Sequence, residues 1–211
     1  MKENTKNLIQ KLVDQLKPVK VVKYSLVDFI KVVMVGLLSV LAAVLILGLR
    51  KDFNQQLLST RFIAENLLLL VLGLAAIYSA LSLSIPSIDD KSKMTLFFTI
   101  TTFLVLIIFS ILTETNPFVY LGHGFSCVSE ILAISVLPAA ILFFIIRRAA
   151  SLKRDLIGFC VLVCGISFGL FGAQLTCADS TPLHIIIWHI FPSILIMVAG
   201  VFIAKIILKK V

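Results

Sequence analysis

Charge is what this chain has least of: only 14% of its 211 residues are Asp, Glu, Lys or Arg, against about a quarter in soluble domains. With 60% hydrophobic residues and a mean hydropathy of +1.11, that scarcity excludes a soluble globular protein and leaves an integral membrane protein. At 211 residues there is no room for a large soluble domain beside several spans of about 20 residues each. Catalytic signatures are scarce too. There is no phosphate-cradling glycine loop and no buried carboxylate pair, and the GxSxG string at Gly165 to Gly169 lies inside an apolar run rather than at a strand-to-helix turn, so the chain is not expected to be an enzyme. The CxxC and HExxH spacings of common metal centres are also absent. No apolar run carries a charge at its middle, which argues against an ion-coupled carrier. No signal peptide is expected, because the first apolar run starts only at about Leu26 and is too long for an h-region.

What the chain does have is hydrocarbon-length segments. Six apolar runs cover about Leu26 to Leu49, Phe62 to Ile85, Met94 to Leu112, Phe125 to Ile146, Leu156 to Leu175 and His184 to Leu208. Each is long enough to cross about 30 Å of hydrocarbon at about 1.5 Å per residue, with some tilt. Short connections make neighbouring spans antiparallel. The expected fold is all-α, a polytopic domain of six transmembrane helices over residues 26–208 behind a cytoplasmic amphipathic tail over residues 1–25.

In that tail Leu8, Ile9, Leu12, Val13 and Leu16 recur at helical spacing and occupy a stripe about 140° wide, with lysines and polar residues around the rest. Lys17 and Pro18 end the helix, since the residue before a proline is pushed out of the helical region. Such a helix can lie in the anionic headgroup layer or dock a cytosolic partner.

The basic residues set the orientation. Of 19 Lys and Arg, 16 fall on the side that holds both termini; Arg50, Lys51 and Arg61 alone face the other. The positive-inside rule then puts both termini in the cytoplasm. The net charge of +8 therefore needs no nucleic-acid partner.

By the same count Cys127 and Cys177 emerge at outer helix ends, in the segments LGHGFSC (Leu121 to Cys127) and TCADSTPLHIIIWH (Thr176 to His189). In an oxidising compartment two such thiols can form a disulfide, bind a soft metal ion together, or stay unpaired. Cys160 and Cys164 cannot join them. Cys164 lies 13 residues before Cys177 on one helix, about 20 Å away, where a disulfide needs Cα atoms within about 7 Å. They are expected to pack as small apolar residues. Gly165, Gly169 and Gly172 form a groove that lets another helix approach closely and would couple movement at Cys177 to a neighbouring span.

His123, Cys127, Glu130, Cys177, Asp179, His184 and His189 are all placed to crowd the outer lip. On an α-helix, however, residues five apart such as His184 and His189 point about 140° from each other, so one face cannot present both. Any metal is left unidentified, and no cofactor is expected beyond a thiophilic ion held transiently by Cys127 and Cys177. Trp188 reads as an interfacial anchor. Asp28, Lys31 and Lys205 sit near inner ends, where long side chains can snorkel.

Several of these residues carry a resemblance. Leu8, Ile9 and Leu12 with Pro18 and Val19, then GFSC ending at Cys127, Leu137-Pro138, Arg147-Arg148, and above all Leu175 to His189 with Cys177, Pro182-Leu183 and Trp188-His189 are similar to the NrsF family. Its members are six-span bacterial inner-membrane anti-sigma factors of extracytoplasmic-function sigma factors. The resemblance covers nearly the whole chain. It implies that Cys127 and Cys177 are a periplasmic sensor pair; His123, Glu130, Asp179, His184 and His189 are its expected neighbours from their place at the lip, and redox and metal stress both stay open as the stimulus. It implies a sigma factor as the partner of the Leu8, Ile9, Leu12, Val13 and Leu16 face, and no direct contact with nucleic acid. Rival readings are a small transporter or channel subunit and a structural subunit of a larger membrane complex.

Overall fold

The computed structural model describes residues 24–85, 91–112, 124–147, 154–179 and 181–207, together with Gln10 and Val13 of the tail. The expected partner-facing residues Leu8, Ile9, Leu12 and Leu16, and the expected site residue His123, lie outside the described residues. Val13 is helical and 54% exposed.

Helix α1 (Leu26–Leu47) starts where the Asp28 carboxylate accepts the Ser25 backbone N–H at 3.1 Å. The residue expected to snorkel is thus a cap, satisfying a donor that the first turn leaves free. Gly48, with φ 86°, ends α1 in a conformation that other residues rarely adopt. The single turn α2 (Phe53–Gln56) leads into α3 (Thr60–Ser84), capped by the Ser59 hydroxyl. Next come α4 (Lys91–Leu112), α5 (Gly124–Ile146) with Pro138 inside it, and α6 (Arg154–Thr176). The last helical segment has three parts: α7 (Pro182–His184), a π-helical turn over Ile185–Ile190, and α8 (Phe191–Ile207).

Pro192 gives that π-turn a local cause. Proline has no N–H, and its ring collides with the carbonyl four residues back, here that of Trp188, so a regular α-ladder is disfavoured over this stretch. The chain bonds one residue further back instead, and the Phe191 N–H donates to the Ile186 carbonyl.

Among the described residues five helices are long and apolar enough to cross a membrane: Leu26–Leu47, Thr60–Ser84, Gly124–Ile146, Arg154–Thr176 and Ile185–Phe202. The run expected at Met94 to Leu112 falls on α4, whose described apolar stretch is Leu96–Val105. No strand occurs among the described residues.

Helix α6 is the hub, 78% buried over its apolar window against 28% for α1 and 33% for α5. Its glycines explain how. A Cβ on Gly165 would lie 2.6 Å from the Ser135 carbonyl oxygen and one on Gly169 2.6 Å from that of Ile131, so α5 and α6 touch backbone to backbone. The neighbour of the small-residue groove is therefore the helix that carries Cys127. Cys160 and Cys164 are fully buried in the core with Leu72, Ile77, Leu142 and Ile157. Where α3 meets α4, the Ser79 and Thr99 hydroxyls lie 3.0 Å apart.

One end of the bundle is tied by polar contacts. The Arg50 N–H donates to the Leu175 carbonyl at 3.0 Å, and Gln174 Nε2 donates to Glu65 Oε2 at 3.0 Å. The end of α1, the start of α3 and the end of α6 thus meet there, the antiparallel arrangement that the short connections require.

Candidate sensor site

At that end the two lips meet. Cys127 sits in the first turn of α5, and Cys177 follows α6, its N–H completing the helix by donating to the Ala173 carbonyl at 2.8 Å. Their sulfurs, 50 residues apart in the chain, lie 3.4 Å from each other, and both cysteines are free thiols. Beyond Cys177, the Asp179 carboxylate accepts the Thr181 N–H at 2.8 Å. That is a local turn of the kind short polar side chains favour. It swings the chain back, so that α7 begins beside the cysteines.

His184 then faces both sulfurs. Its Nε2 is 3.5 Å from Cys127 Sγ and 3.6 Å from Cys177 Sγ, while its Nδ1 is 3.5 Å from Asp179 Oδ2. His189 joins from the same side, its ring centroid 5.3 Å from that of His184. The 140° separation expected of this pair is overturned, because a π-turn bonds residue i to i+5 and stacks residues five apart on one face. One ligand atom from each of Cys127, Cys177, His184 and His189 lies within 4.8 Å of the other three.

The remaining sequence candidates stand around this cluster. Glu130 accepts a hydrogen bond from the Thr176 hydroxyl, which ties α5 to α6 one turn from the thiols. The Asp179 carboxylate meets His184 at Nδ1 rather than at the ring nitrogen that faces the sulfurs, and the Asp179 backbone carbonyl accepts from Cys177 Sγ at 3.6 Å. Trp188, expected as an interfacial anchor, packs across the start of α5: its indole fills the space that a side chain on Gly124 would need, and its ring centroid is 6.5 Å from that of Phe125.

The Cys177 thiol is held well below the ordinary thiol range. Its chief cause is the hydrogen bond from Cys127; burial opposes it, and the His189 hydrogen bond and charge add to it. For Asp179, burial pushes the carboxyl up, but the bonds from Thr181 and the charges of His184 and His189 outweigh burial and leave it below its usual value.

Arg50 is the participant that sequence reasoning missed. Counted only as one of three outer cations, it is 4% exposed, with its guanidinium bidentate on Asp52 at 2.7 and 2.9 Å and directed at the Gln174 and Ala178 carbonyls at 3.5 and 3.4 Å. It thereby satisfies carbonyls that the end of α6 leaves free and places a cation at the negative pole of that helix. Arg61 and Glu65, 3.0 Å apart, extend the network through Gln174. An arginine on the side poor in basic residues was the available signal.

Comparison with known families decides the class of protein. The NrsF family model, described as negative regulator of sigma F, matches residues 12–209. The chain belongs to the NrsF family. It is accordingly a negative regulator of a sigma factor, built from apolar helices of membrane-crossing length. No curated protein and no solved structure matches it.

Proposed function

We propose that this NrsF protein is an anti-sigma factor of the bacterial inner membrane that holds an extracytoplasmic-function sigma factor through its cytoplasmic tail. It releases that partner when the Cys127–Cys177 pair changes state under redox or metal stress. It is a regulator rather than an enzyme, with six spans, both termini in the cytoplasm and no direct contact with nucleic acid. The distribution of 16 of 19 basic residues supports that topology. The observation that carries the sensor reading is the 3.4 Å approach of two sulfurs from separate helices at one end of the bundle.

The mechanism needs two states. A change at the thiols alters how α5 and α6 meet, and the glycine contacts between them pass that change along their length to the opposite end of the bundle. There the sigma factor binds the Leu8, Ile9, Leu12, Val13 and Leu16 face in one state better than in the other. A coupling of about 1–3 kcal/mol gives about a 5- to 150-fold change in affinity.

The test is a sigma-dependent reporter in cells. Cys127→Ser and Cys177→Ser should each lock the response to the stress, and deletion of residues 1–17 should free the sigma factor constitutively. Unchanged signalling in both serine variants rejects the sensor role. Solute flux in vesicles, together with indifference to loss of the tail, would favour a small transporter or channel subunit.

A further inference from the structure

We propose that Cys127, Cys177, His184 and His189 form a four-ligand site for a divalent thiophilic cation of the zinc class, with Asp179 orienting His184 from outside it. This names the ligand of the sensor site and rests on the sensor reading for its regulatory meaning, though not for binding itself.

Edge lengths make the first argument. A tetrahedral zinc centre with bonds of about 2.3 Å to sulfur and about 2.0–2.1 Å to nitrogen has a sulfur–sulfur edge of about 3.8 Å and sulfur–nitrogen edges of about 3.6 Å. The corresponding separations here are 3.4 Å between the sulfurs and 3.5 and 3.6 Å from each sulfur to His184 Nε2. The fourth ligand atom, from His189, lies within 4.8 Å of the rest. An ion can therefore enter with shifts of a few tenths of an ångström on three of the four ligands.

Chemistry of the donor set makes the second. Two thiolates, two neutral imidazoles and a divalent ion sum to zero charge, which suits a site where Cys127, His184 and His189 are at most 7% exposed. A monovalent ion would leave a buried negative charge. Binding forms two metal–sulfur bonds; Cys177 enters as the thiolate, the S–H bond of Cys127 breaks and its proton goes to water, and no electron moves.

Two independent features point to a ligand. Ligating histidines characteristically donate their second ring N–H to a carboxylate, which fixes the tautomer. Asp179 stands in that relation to His184, 3.5 Å from Nδ1 on the side away from the sulfurs. In addition, His189 is 3% exposed and its Nε2 has no hydrogen-bond partner among the described residues. The ligands come from the head of α5, the turn after α6 and both ends of the π-turn, so a bound ion would pin the ends of three spans together. A Cys127–Cys177 disulfide would remove both thiolates, which makes ion and oxidant mutually exclusive occupants.

The experiment uses the full chain in detergent micelles under reducing conditions, titrated with Co²⁺ as a spectroscopic stand-in and then with Zn²⁺. The expected result is one ion per chain, with intense tetrahedral cobalt bands and thiolate-to-cobalt charge transfer that Zn²⁺ abolishes. His184→Ala and His189→Ala should each weaken binding at least tenfold, and Asp179→Asn about 10- to 100-fold with the bands unmoved. His184→Cys, which keeps four ligands, should retain binding with stronger charge transfer and so shows that the variant site is folded. Absence of stoichiometric cobalt binding by the cooperatively unfolding wild-type chain overturns the proposal, as does equal affinity in the histidine variants. No binding, with both serine variants still locked in the reporter, removes the ion and keeps the thiol sensor. Binding, with both serine variants signalling normally, keeps the ion site and removes the sensor.

Discussion

Gly169 stands so close to Ile131 that a Cβ on it would lie 2.6 Å from the Ile131 carbonyl oxygen. Backbone cannot retreat as a flexible side chain can, so any larger residue must push α5 from α6. Gly169→Leu is expected to cost about 1–3 kcal/mol, the usual range for overpacking a tight interface. It should also lower the yield of the Cys127–Cys177 disulfide under mild oxidant, because the separation reaches the site. Thermal unfolding in micelles and non-reducing electrophoresis read the two effects. A cross-link formed at the wild-type rate would show that the interface does not hold the thiols in register.

Arg50 makes a second claim on the same end. Arg50→Ala withdraws the guanidinium from the Gln174 and Ala178 carbonyls and from Asp52, and groups left unsatisfied cost about 1–3 kcal/mol. Arg50→Lys should recover only part of that loss, since an ammonium cannot reproduce the bidentate fork. Equal unfolding midpoints for the lysine variant and the wild type would show that charge alone, not geometry, holds the end of α6.

The helices were legible because hydrocarbon-length apolar runs and polar turns leave a strong mark on a sequence, and α1, α3, α5, α6 and the final helical segment follow from them. The cysteine pair was legible from its place at two helix ends. The histidines were not, because the α-helical period assumed for His184 and His189 fails where Pro192 favours a π-turn. Nor was Arg50, whose partners include a carbonyl 124 residues away in the chain. Backbone acceptors carry no residue-type signal. The cap at Asp28, by contrast, was open to reading: Ser25 and Asp28 stand three apart, the spacing of a capping box, and the bond to Ser25 completes it.

Cys177 should react as a thiolate at lower pH than an ordinary cysteine. Its lowered pKa means that the reactive form persists as pH falls through the ordinary thiol value of about 8.5. In a Cys160→Ala, Cys164→Ala background, maleimide labelling of Cys177 is expected to slow little between about pH 8.5 and pH 6.5 once the reagent's own pH dependence is subtracted. Cys127→Ala removes the chief cause of the shift and should make labelling fall more steeply with pH than in the parent, toward the ordinary limit of about tenfold per pH unit below about 8.5. An ordinary profile in the presence of Cys127 would refute the hydrogen bond between the thiols. An impermeant maleimide also reads sidedness, and labelling of Cys177 from the cytoplasmic side alone would overturn the proposed topology.

The π-turn yields the sharpest test of register. A single π-turn accommodates one extra residue while the α-helix on either side keeps its facing. Deleting Ile187, together with Pro192→Ala to remove the clash with the Trp188 carbonyl, should therefore restore a regular helix and bring the two histidines from five to four positions apart, a spacing that also shares one face of an α-helix. Both rings would still address Cys127 and Cys177. Inserting one alanine after Ile187 instead puts them six apart, about 240° around an α-helix, and should separate them. Cobalt binding by the full chain distinguishes the cases: the deletion variant should stay within about tenfold of the wild type, whereas the insertion variant should lose binding by more than the about 10- to 100-fold expected for a displaced supporting residue. If the deletion abolishes binding while the helix content and unfolding midpoint are unchanged, the π-turn sets more than the facing of two histidines, and the ring positions that it fixes are themselves required.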